Sequence, residues 1–562
     1  MKMNSRLPIL TVLAAVFLTT TQAFPAIYTW SGADGAIWNT TDTNWLPTSG
    51  ATPWDSSNGT TSTGNFTAAG NATVSGTVYV NAITYTAASG NFSLNNGTIN
   101  LAGTTPTITV DPSRTLTIGS TLDGTAGLIK TGNGTLTLSA ANTYTGNTTV
   151  SAGVLSVSNG SALGSGPVIV TGGTVASLWI SGNITVANAL TLNGGNGIGF
   201  TGQVKSMSGA NTISGAITQA GRIAAYADSL TITGGMAANY GAYESIDART
   251  GTTITISTNP FILGATGTLD ASQWGTTVLN VSGNTWGTTW VNNGTLRTDV
   301  ANALPSSSRL RLGDTSFAGA IVNLNGNDQT VAGNSSNTAN GSISATNVRT
   351  ITSATAATLT SNQSSNTLFD GRITGALALV KSGTGTLTLA GNSTYTGATT
   401  VSAGTMLVSG TLAATSGVTV SGGTLQLGAA ERFNDAATLT LSGGTFNAST
   451  FTDSLGALTL SGNSFISLGS GAAIAFANSS ASTWGASFTL DLTGFVSGSS
   501  LRFGTDASGL TGTQLAQFTA TGFSSFGLDS SGYLTAVPEP ATWALLAFSL
   551  TTVMVLRRRM RI

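Results

Sequence analysis

Apolar and polar residues alternate with period two over short stretches of this chain. Thr135-Leu136-Thr137-Leu138 is the clearest case, Thr148 to Val150 and Val154 to Val157 follow it in part, and Gly or Asn breaks the pattern every five to eight residues. Alternation of this kind sorts side chains onto the two faces of a β-strand, and the Gly and Asn between supply the turns. No stretch of the body longer than about ten residues keeps a 3.6-residue period, so the pattern predicts almost no helix there.

The pattern also recurs at longer range. Lys130 to Val157 (KTGNGTLTLSAANTYTGNTTVSAGVLSV) and Lys381 to Val408 (KSGTGTLTLAGNSTYTGATTVSAGTMLV) align without a gap and agree at 18 of 28 positions. A worn third copy, Leu279 to Leu296, has Trp286 where the full copies have Tyr144 and Tyr395. Shorter echoes lie at Gly166 to Val175, Gly417 to Leu425, Ala437 to Phe446 and Leu458 to Phe465. Strands this short form no stable sheet singly and must stack on copies of themselves. The expected fold is therefore all-β, a right-handed parallel β-helix with its repeat body at 71–480. Leu and Val point inward, and Thr, Ser and Asn form rows along the outside. Coils of about 20 to 25 residues would make roughly 20 turns and a rod on the order of 100 Å long. The alternative, a string of β-sandwiches, would show Pro-rich linkers and a repeat near about 100 residues. Only five of the eleven prolines lie between Trp54 and Val537.

Composition narrows the chemistry. The chain has no His and no Cys, which excludes Ser-His-Asp and Cys-His machinery, His-ligated zinc, disulfides and iron–sulfur clusters. Only 7% of its 562 residues are charged. In-register stacking explains that scarcity, since like charges would face each other across a rung spacing of about 4.8 Å, whereas Thr, Ser and Asn hydrogen-bond along the row. Six of the 19 basic residues and one of the 20 acidic ones lie in the two chain ends, which leaves 13 against 19 and a body charge of −6. An acidic body without a basic stripe argues against nucleic acid as a partner. No cofactor and no metal are expected.

The two ends read as addresses. Residues 1–23 carry Lys2 and Arg6, an apolar core from Leu7 to Leu18 and small residues suited to cleavage after 23 or 26, the pattern of a secretory signal peptide. Sec-type export machinery and signal peptidase are the partners this implies. At 537–562, Pro538-Glu539-Pro540 precedes the apolar segment 541–556 and the cluster Arg557, Arg558, Arg559 and Arg561. The apolar segment is expected to form one transmembrane helix with the arginines on the cytoplasmic side. Two prolines join neither helix nor ladder, so the motif is expected to stay extended and accessible outside the bilayer. This arrangement resembles the PEP-CTERM sorting signal of Gram-negative bacteria. The resemblance implies an exosortase-type membrane protease as partner, exopolysaccharide in the surroundings, inner-membrane anchoring during sorting, and a final place at the cell surface or in the extracellular matrix.

The motif G-x-G-T-L-T-L followed by T-Y-T-G-x-T-T-V-S-A-G resembles the autotransporter-associated β-strand repeat. That resemblance implies an extracellular β-helical passenger, stalk or adhesin-like protein. The chain departs from an autotransporter in ending with an apolar segment and arginines instead of a translocator barrel. The open ends of a β-helix need covers. Four of the ten Trp, namely Trp30, Trp38, Trp45 and Trp54, fall in 24–70, which reads as an aromatic N-terminal cap. Phe488, Phe495, Phe503, Phe518, Phe523 and Phe526 mark 481–536 as a C-terminal cap. A sharper reading makes Trp30, Trp38 and Trp45 exposed rings that stack on sugars.

Parallel β-helices also host polysaccharide lyases and hydrolases, whose sites need clustered carboxylates. The most suggestive neighbourhood is Arg222, Asp228, Glu244, Asp247 and Arg249, in the least repetitive part of the body. Glu244 and Asp247 read equally as neighbours on one turn or as solvated charges. Lys130 and Lys381 recur at matching positions and suggest a structural role at a coil corner. Isolated acids such as Asp34, Asp370, Asp453 and Asp506 sit beside Gly, Ser or Thr, as turn residues do. The glycine-rich Gly194 to Phe200 reads as a turn, since it lacks the aspartates of a calcium-binding repeat. The reading favoured is a non-catalytic exported rod of the cell envelope or matrix. An exopolysaccharide-binding protein and a polysaccharide-degrading enzyme are the alternatives.

Overall fold

In the computed structural model, which describes residues 27–46, 54, 61–171, 175–194, 202–218, 221–237, 243–272, 274–313, 319–336 and 349–539, the chain winds as a parallel β-solenoid of about 18 turns. The signal peptide, Pro540, the apolar segment 541–556 and the terminal arginines lie outside the described residues. Among the described residues the single α-helix is Gly512–Leu515, and no helix is long and apolar enough to cross a membrane.

Strands stack on up to three faces of the turns, and the full repeats carry strands on two. On one face Ile27–Trp30, Thr63–Phe66, Ala82–Tyr85, Thr107–Val110, Leu128–Thr131, Thr148–Val150 and Val168–Val170 stack in parallel. On the second, Gly70–Val74, Phe92–Asn95, Thr115–Ile118, Thr135–Leu138, Gly153–Val157 and Ala176–Ser181 do the same. The third begins with Thr77–Val80, Thr98–Leu101 and Thr121–Asp123 and continues further along through Asn211–Ile213, Ser229–Ile232 and Thr253–Ser257. Leu379, Thr399, Val418, Leu439 and Leu458 are partners on five successive rungs, about 20 residues apart. The alternation predicted from sequence sets the register. Strands such as Thr115–Ile118 and Thr135–Leu138 bury every second residue, so a slip by one position would turn Leu116 and Leu136 out to solvent.

Those buried positions form one continuous column of Leu, Val, Ile and aromatic residues from Tyr28 to Leu534. The outer rows behave as their composition predicts: Thr109 bonds Thr131 at 2.8 Å, Thr191 bonds Thr218 at 2.9 Å and Thr374 donates to Thr352 at 3.0 Å, each across a rung. The expectation of uniformly short strands is corrected by Phe261–Ser272, Thr350–Asn362 and Arg372–Ser382, of 12, 13 and 11 residues. They turn a corner without leaving the ladder, through shifts of register next to Gly264 and between Ser353 and Ala357.

Both ends of the column are covered by aromatic residues. Trp30, Trp38, Trp45, Trp54 and Phe66 interlock with ring centroids 4.9–5.8 Å apart, and Trp45–Leu46 runs antiparallel to the first rung. At the far end Phe476 stacks on Phe503 at 5.1 Å, Phe495 meets Phe523 and Phe526, and an antiparallel hairpin of Phe523–Leu528 with Leu534–Pro538 crosses the last coil.

Candidate functional surface

The two full repeats build one internal device twice. Lys130 and Lys381 occupy inward positions on their strands and are completely buried. The ammonium of Lys130 donates to the carbonyls of Thr131 at 2.7 Å, Gly132 at 2.7 Å and Ala152 at 3.0 Å. That of Lys381 donates to Ser382 at 2.8 Å, Gly383 at 2.7 Å and Ala403 at 3.1 Å. All three protons find acceptors, and the third acceptor belongs to the next coil, so each lysine closes a corner and ties two turns together. Burial pushes both lysines down to about 8. The glycine of each Ser-Ala-Gly is required here, because a Cβ on Gly153 would lie 2.7 Å from the Lys130 Nζ and one on Gly404 2.9 Å from the Lys381 Nζ. Both glycines also have positive φ, +71° and +64°.

The repeat tyrosine is the second part of the device. The Tyr144 hydroxyl lies 2.6 Å from Thr148 Oγ1 and the Tyr395 hydroxyl 2.6 Å from Thr399 Oγ1, both pairs buried. Burial raises both phenols, so they stay neutral hydrogen-bonding groups. In the worn copy the Trp286 indole donates to Thr289 Oγ1 at 2.7 Å, and Thr289 bonds Ser308 at 2.8 Å. The Tyr-to-Trp exchange thus keeps a large ring with a polar edge against a buried threonine. These residues are spent inside the rod.

Trp30, Trp38 and Trp45 do not offer faces to a sugar. They are 8%, 0% and 0% exposed, because each ring is spent covering the first coil. The charged neighbourhood in the middle of the chain is also rearranged. Glu244 and Asp247 share the strand Tyr243–Ala248, but three residues apart in a strand means opposite faces. Glu244 partners Leu269 on the core side and accepts from the Gly221 amide at 2.8 Å. Burial, with the charge of Asp247 behind it, raises its carboxyl well above the usual range. Asp247 lies on the other side of the strand, is completely buried as well, pairs with Arg222 and accepts from the Ser245 hydroxyl at 3.0 Å. A strand therefore separates the two carboxylates, which cannot act on one bond of a substrate. Asp228 is exposed at a corner and accepts from the Gly209 amide at 2.7 Å. Among the described residues no cluster of three acidic side chains could hold a metal ion.

Arg222, Asp247 and Arg249 do meet on the side of the sheet away from the core column, joined by residues the sequence did not single out, and Asp247 and Lys205 are themselves buried there. Trp179 is registered with Lys205, Lys205 with Ala224 and Ala224 with Asp247. The Lys205 ammonium lies 5.3 Å from the Trp179 ring centre and 5.6 Å from that of Tyr226, while the Arg249 guanidinium lies 4.7 Å from Tyr226. Burial first, then the charges of Arg249 and Arg222, push Lys205 down to about 8. A neighbouring column runs Arg222, Ser245, Asp270, Trp290, Arg311 on successive rungs, with Arg311 4.6 Å from the Trp290 ring centre. Outward placement at alternate positions was the available signal. The uneven lengths of these coils hide which outward residues become neighbours.

The isolated acids take varied roles. Asp506 caps its own turn at the Ser508 amide, 2.7 Å away, as expected. Asp34 instead reaches the Asn71 amide of the next coil at 2.8 Å, Asp370 pairs with Arg349 at 2.9 Å, and the buried Asp453 accepts from the Arg432 amide at 2.8 Å. Gly195 to Phe200 lies outside the described residues. Pro538 does not stay out of the ladder: it ends the last strand opposite Phe523, and the exposed Glu539 donates its amide to Gly522 at 3.0 Å. A proline is tolerated there because the hairpin edge asks no amide of it.

Two segments of the chain, 128–157 and 379–408, match the passenger-associated-transport-repeat family. Over 378 residues the chain is 30% identical to a protein of Brucella suis named adhesin BmaC autotransporter, an alignment that takes in 56% of this chain. The chain spans about a tenth of the length of that relative, 10%. No solved structure matches the chain.

Proposed function

We propose that this protein is a non-catalytic, exported surface rod of adhesin-like type, sorted through its C-terminal tail. The observation that carries the reading is the repeat coil, in which every singular residue is consumed in closing the solenoid, together with the likeness of those coils to passenger repeats and of the chain to an autotransporter adhesin. The separation of Glu244 from Asp247 supports a rod over a hydrolase. Export proceeds by a Sec-type route with removal of residues 1–23. The segment 541–556 then holds the chain in the inner membrane with Arg557, Arg558, Arg559 and Arg561 on the cytoplasmic side. An exosortase-type protease acts near Pro538, Glu539 and Pro540 and frees the rod to the cell surface or matrix. Among the described residues the last hydrogen bond of the terminal hairpin is at Glu539, so a cut downstream of the motif keeps that bond.

Intact mass measurement of the protein recovered from its own cells tests the sorting step. A species beginning near residue 24 or 27 and ending upstream of Ala541 supports it, and one that retains Arg561 makes the tail a plain anchor. Ca²⁺-dependent cleavage of a polysaccharide that disappears with Asp247→Asn would overturn the non-catalytic reading.

A further inference from the structure

Nine asparagines of this chain precede a glycine, the pairing in which a side-chain carboxamide is most open to the next backbone nitrogen, because glycine has no Cβ to block the approach. Asn58, Asn196 and Asn340 lie outside the described residues. At four of the other six the glycine N–H is held. Gly134 donates to the Val110 carbonyl at 2.9 Å, Gly194 to that of Leu192 at 2.8 Å, Gly326 to Ser353 Oγ at 3.0 Å, and Gly294 to Oδ1 of the buried Asn293 at 2.9 Å. At Asn159 the side-chain oxygen accepts from the Ser161 amide at 2.9 Å, which holds the carboxamide within its own turn. Asn96 and Gly97 differ from all of these. Both are exposed, and neither the Asn96 carboxamide nor the Gly97 N–H makes a hydrogen bond among the described residues. They form the two-residue turn between Phe92–Asn95 and Thr98–Leu101, with φ of +61° and +47°. Such a turn selects Asn followed by Gly, and here a Cβ on Gly97 would lie 2.6 Å from the Val74 carbonyl oxygen. The fold thus demands a reactive pair and leaves it unprotected.

We propose that Asn96 with Gly97 is a site of spontaneous covalent modification, the first of the described Asn-Gly pairs to deamidate. The Gly97 nitrogen gives its proton to solvent base and attacks Cγ of Asn96. A C–N bond forms, the Cγ–Nδ2 bond breaks, and the carboxamide nitrogen leaves as ammonia with a proton from water, giving a five-membered succinimide. Water then opens the ring at either carbonyl and leaves an aspartyl or an isoaspartyl residue at position 96. One water is consumed, one ammonia is released, and nothing is oxidised or reduced. Attack requires the turn to open, and an exposed turn opens at the low end of the stability range. A held N–H must first give up its bond. The consequence reaches the next coil. The Gly97 carbonyl accepts from the Thr121 amide at 3.1 Å, and Thr98 is registered with both Thr77 and Thr121. An isoaspartyl linkage adds a backbone methylene and a carboxylate at this corner, so the third face loosens there as the protein ages. The inference is independent of how the tail is processed and of what the rod touches.

Chymotryptic peptide mapping of the folded full chain, aged in mildly alkaline buffer, tests it, with electron-transfer fragmentation to place each gain in mass. Among Asn96, Asn133, Asn159, Asn193, Asn293 and Asn325, Asn96 is expected to react first and to lead by roughly fivefold or more, the effect of one hydrogen bond that has to open. In the chain unfolded by urea the six rates are expected to converge. A folded chain in which Asn133 or Asn325 keeps pace with Asn96 overturns the proposal, as does a lead of Asn96 that persists undiminished in urea and so owes nothing to the fold. Hydrogen exchange of the aged chain is expected to show protection lost at Thr98–Leu101 and Thr121–Asp123, relative to a fresh sample. Asn96→Ser has no carboxamide to lose and should keep that protection on ageing; an equal loss in this variant overturns the structural consequence.

Discussion

The coils at 128–157 and 379–408 and the coils between 176 and 311 use the same scaffold to opposite ends. In the first pair charge is internal: Lys130 and Lys381 are swallowed whole and every proton is given to a backbone carbonyl. In the middle, charge lies mostly on the side of the sheet away from the core column and faces other charge or aromatic rings, and Glu244, turned inward, keeps a buried oxygen with no hydrogen-bond partner among the described residues. The contrast teaches where a solenoid tolerates ions. A corner where three carbonyls converge satisfies an ammonium, while the flat inner face of a strand offers a carboxylate a single amide.

The sharpest way to break this contrast is to remove the internal cation. Lys381→Met fills the same space but leaves three carbonyls without a donor, and is expected to cost on the order of 3 kcal/mol or more. Because solenoid coils unfold semi-independently, hydrogen exchange should show lost protection concentrated in 379–408 with little change near 128–157. Spread of the loss over the whole rod would contradict a local corner device. The same lysines set a pH signature. Their folded value of about 8 lies below the 10.5 of an exposed lysine, so between those values the unfolded chain holds more protons. Stability from this pair therefore rises as pH climbs through that window and is flat below it. Lys130→Met/Lys381→Met should abolish the rise in a melting series.

A smaller effect is expected from Tyr395→Phe, about 1 kcal/mol, since Thr399 keeps its bond to Thr415 at 3.1 Å. A melt as low as that of Lys381→Met would show that the hydroxyl matters more than its geometry implies. Glu244→Gln works in the other direction. Its raised carboxyl is protonated in the folded chain where the unfolded chain has already ionised, so its contribution is lost as pH rises above the usual carboxylate range. Asp453, pushed up to about 6 by burial, loses stability in the same sense up to that pH. Glu244→Gln should raise Tm modestly at pH 7 to 8 and leave it unchanged in acid; a drop at neutral pH would mean that the charge is satisfied after all. The smallest expected change is Thr109→Ala on an outer row, about 0.5 kcal/mol or less in denaturant titration.

Much of the fold was legible because its cause is local. Alternation in Thr135–Leu138, the Gly and Asn breaks and the two 28-residue copies led to stacked parallel strands, and Thr109 and Thr131 bond along the row as their composition suggested. Lys130 and Lys381 could be recognised as corner residues from their matching positions alone. The middle face was legible only in fragments. Arg222, Asp247 and Arg249 stood out as charges, but Trp179 and Lys205 are 26 residues apart, Lys205 and Ala224 19, and Ala224 and Asp247 23. Without a constant period nothing in the sequence states that these positions share a face.

Amino-acid order alone thus determined the inward and outward sides of the strands and the identity of the repeat, because these follow from a period of two and from turn chemistry within a few residues. Which side chains stack on which, that the N-terminal tryptophans are sealed inside, and that Glu244 and Asp247 lie on opposite sides of one strand were decided by tertiary structure. The reason is register: each coil's length fixes the next coil's partner, and a loop one residue longer changes the neighbour without changing the pattern.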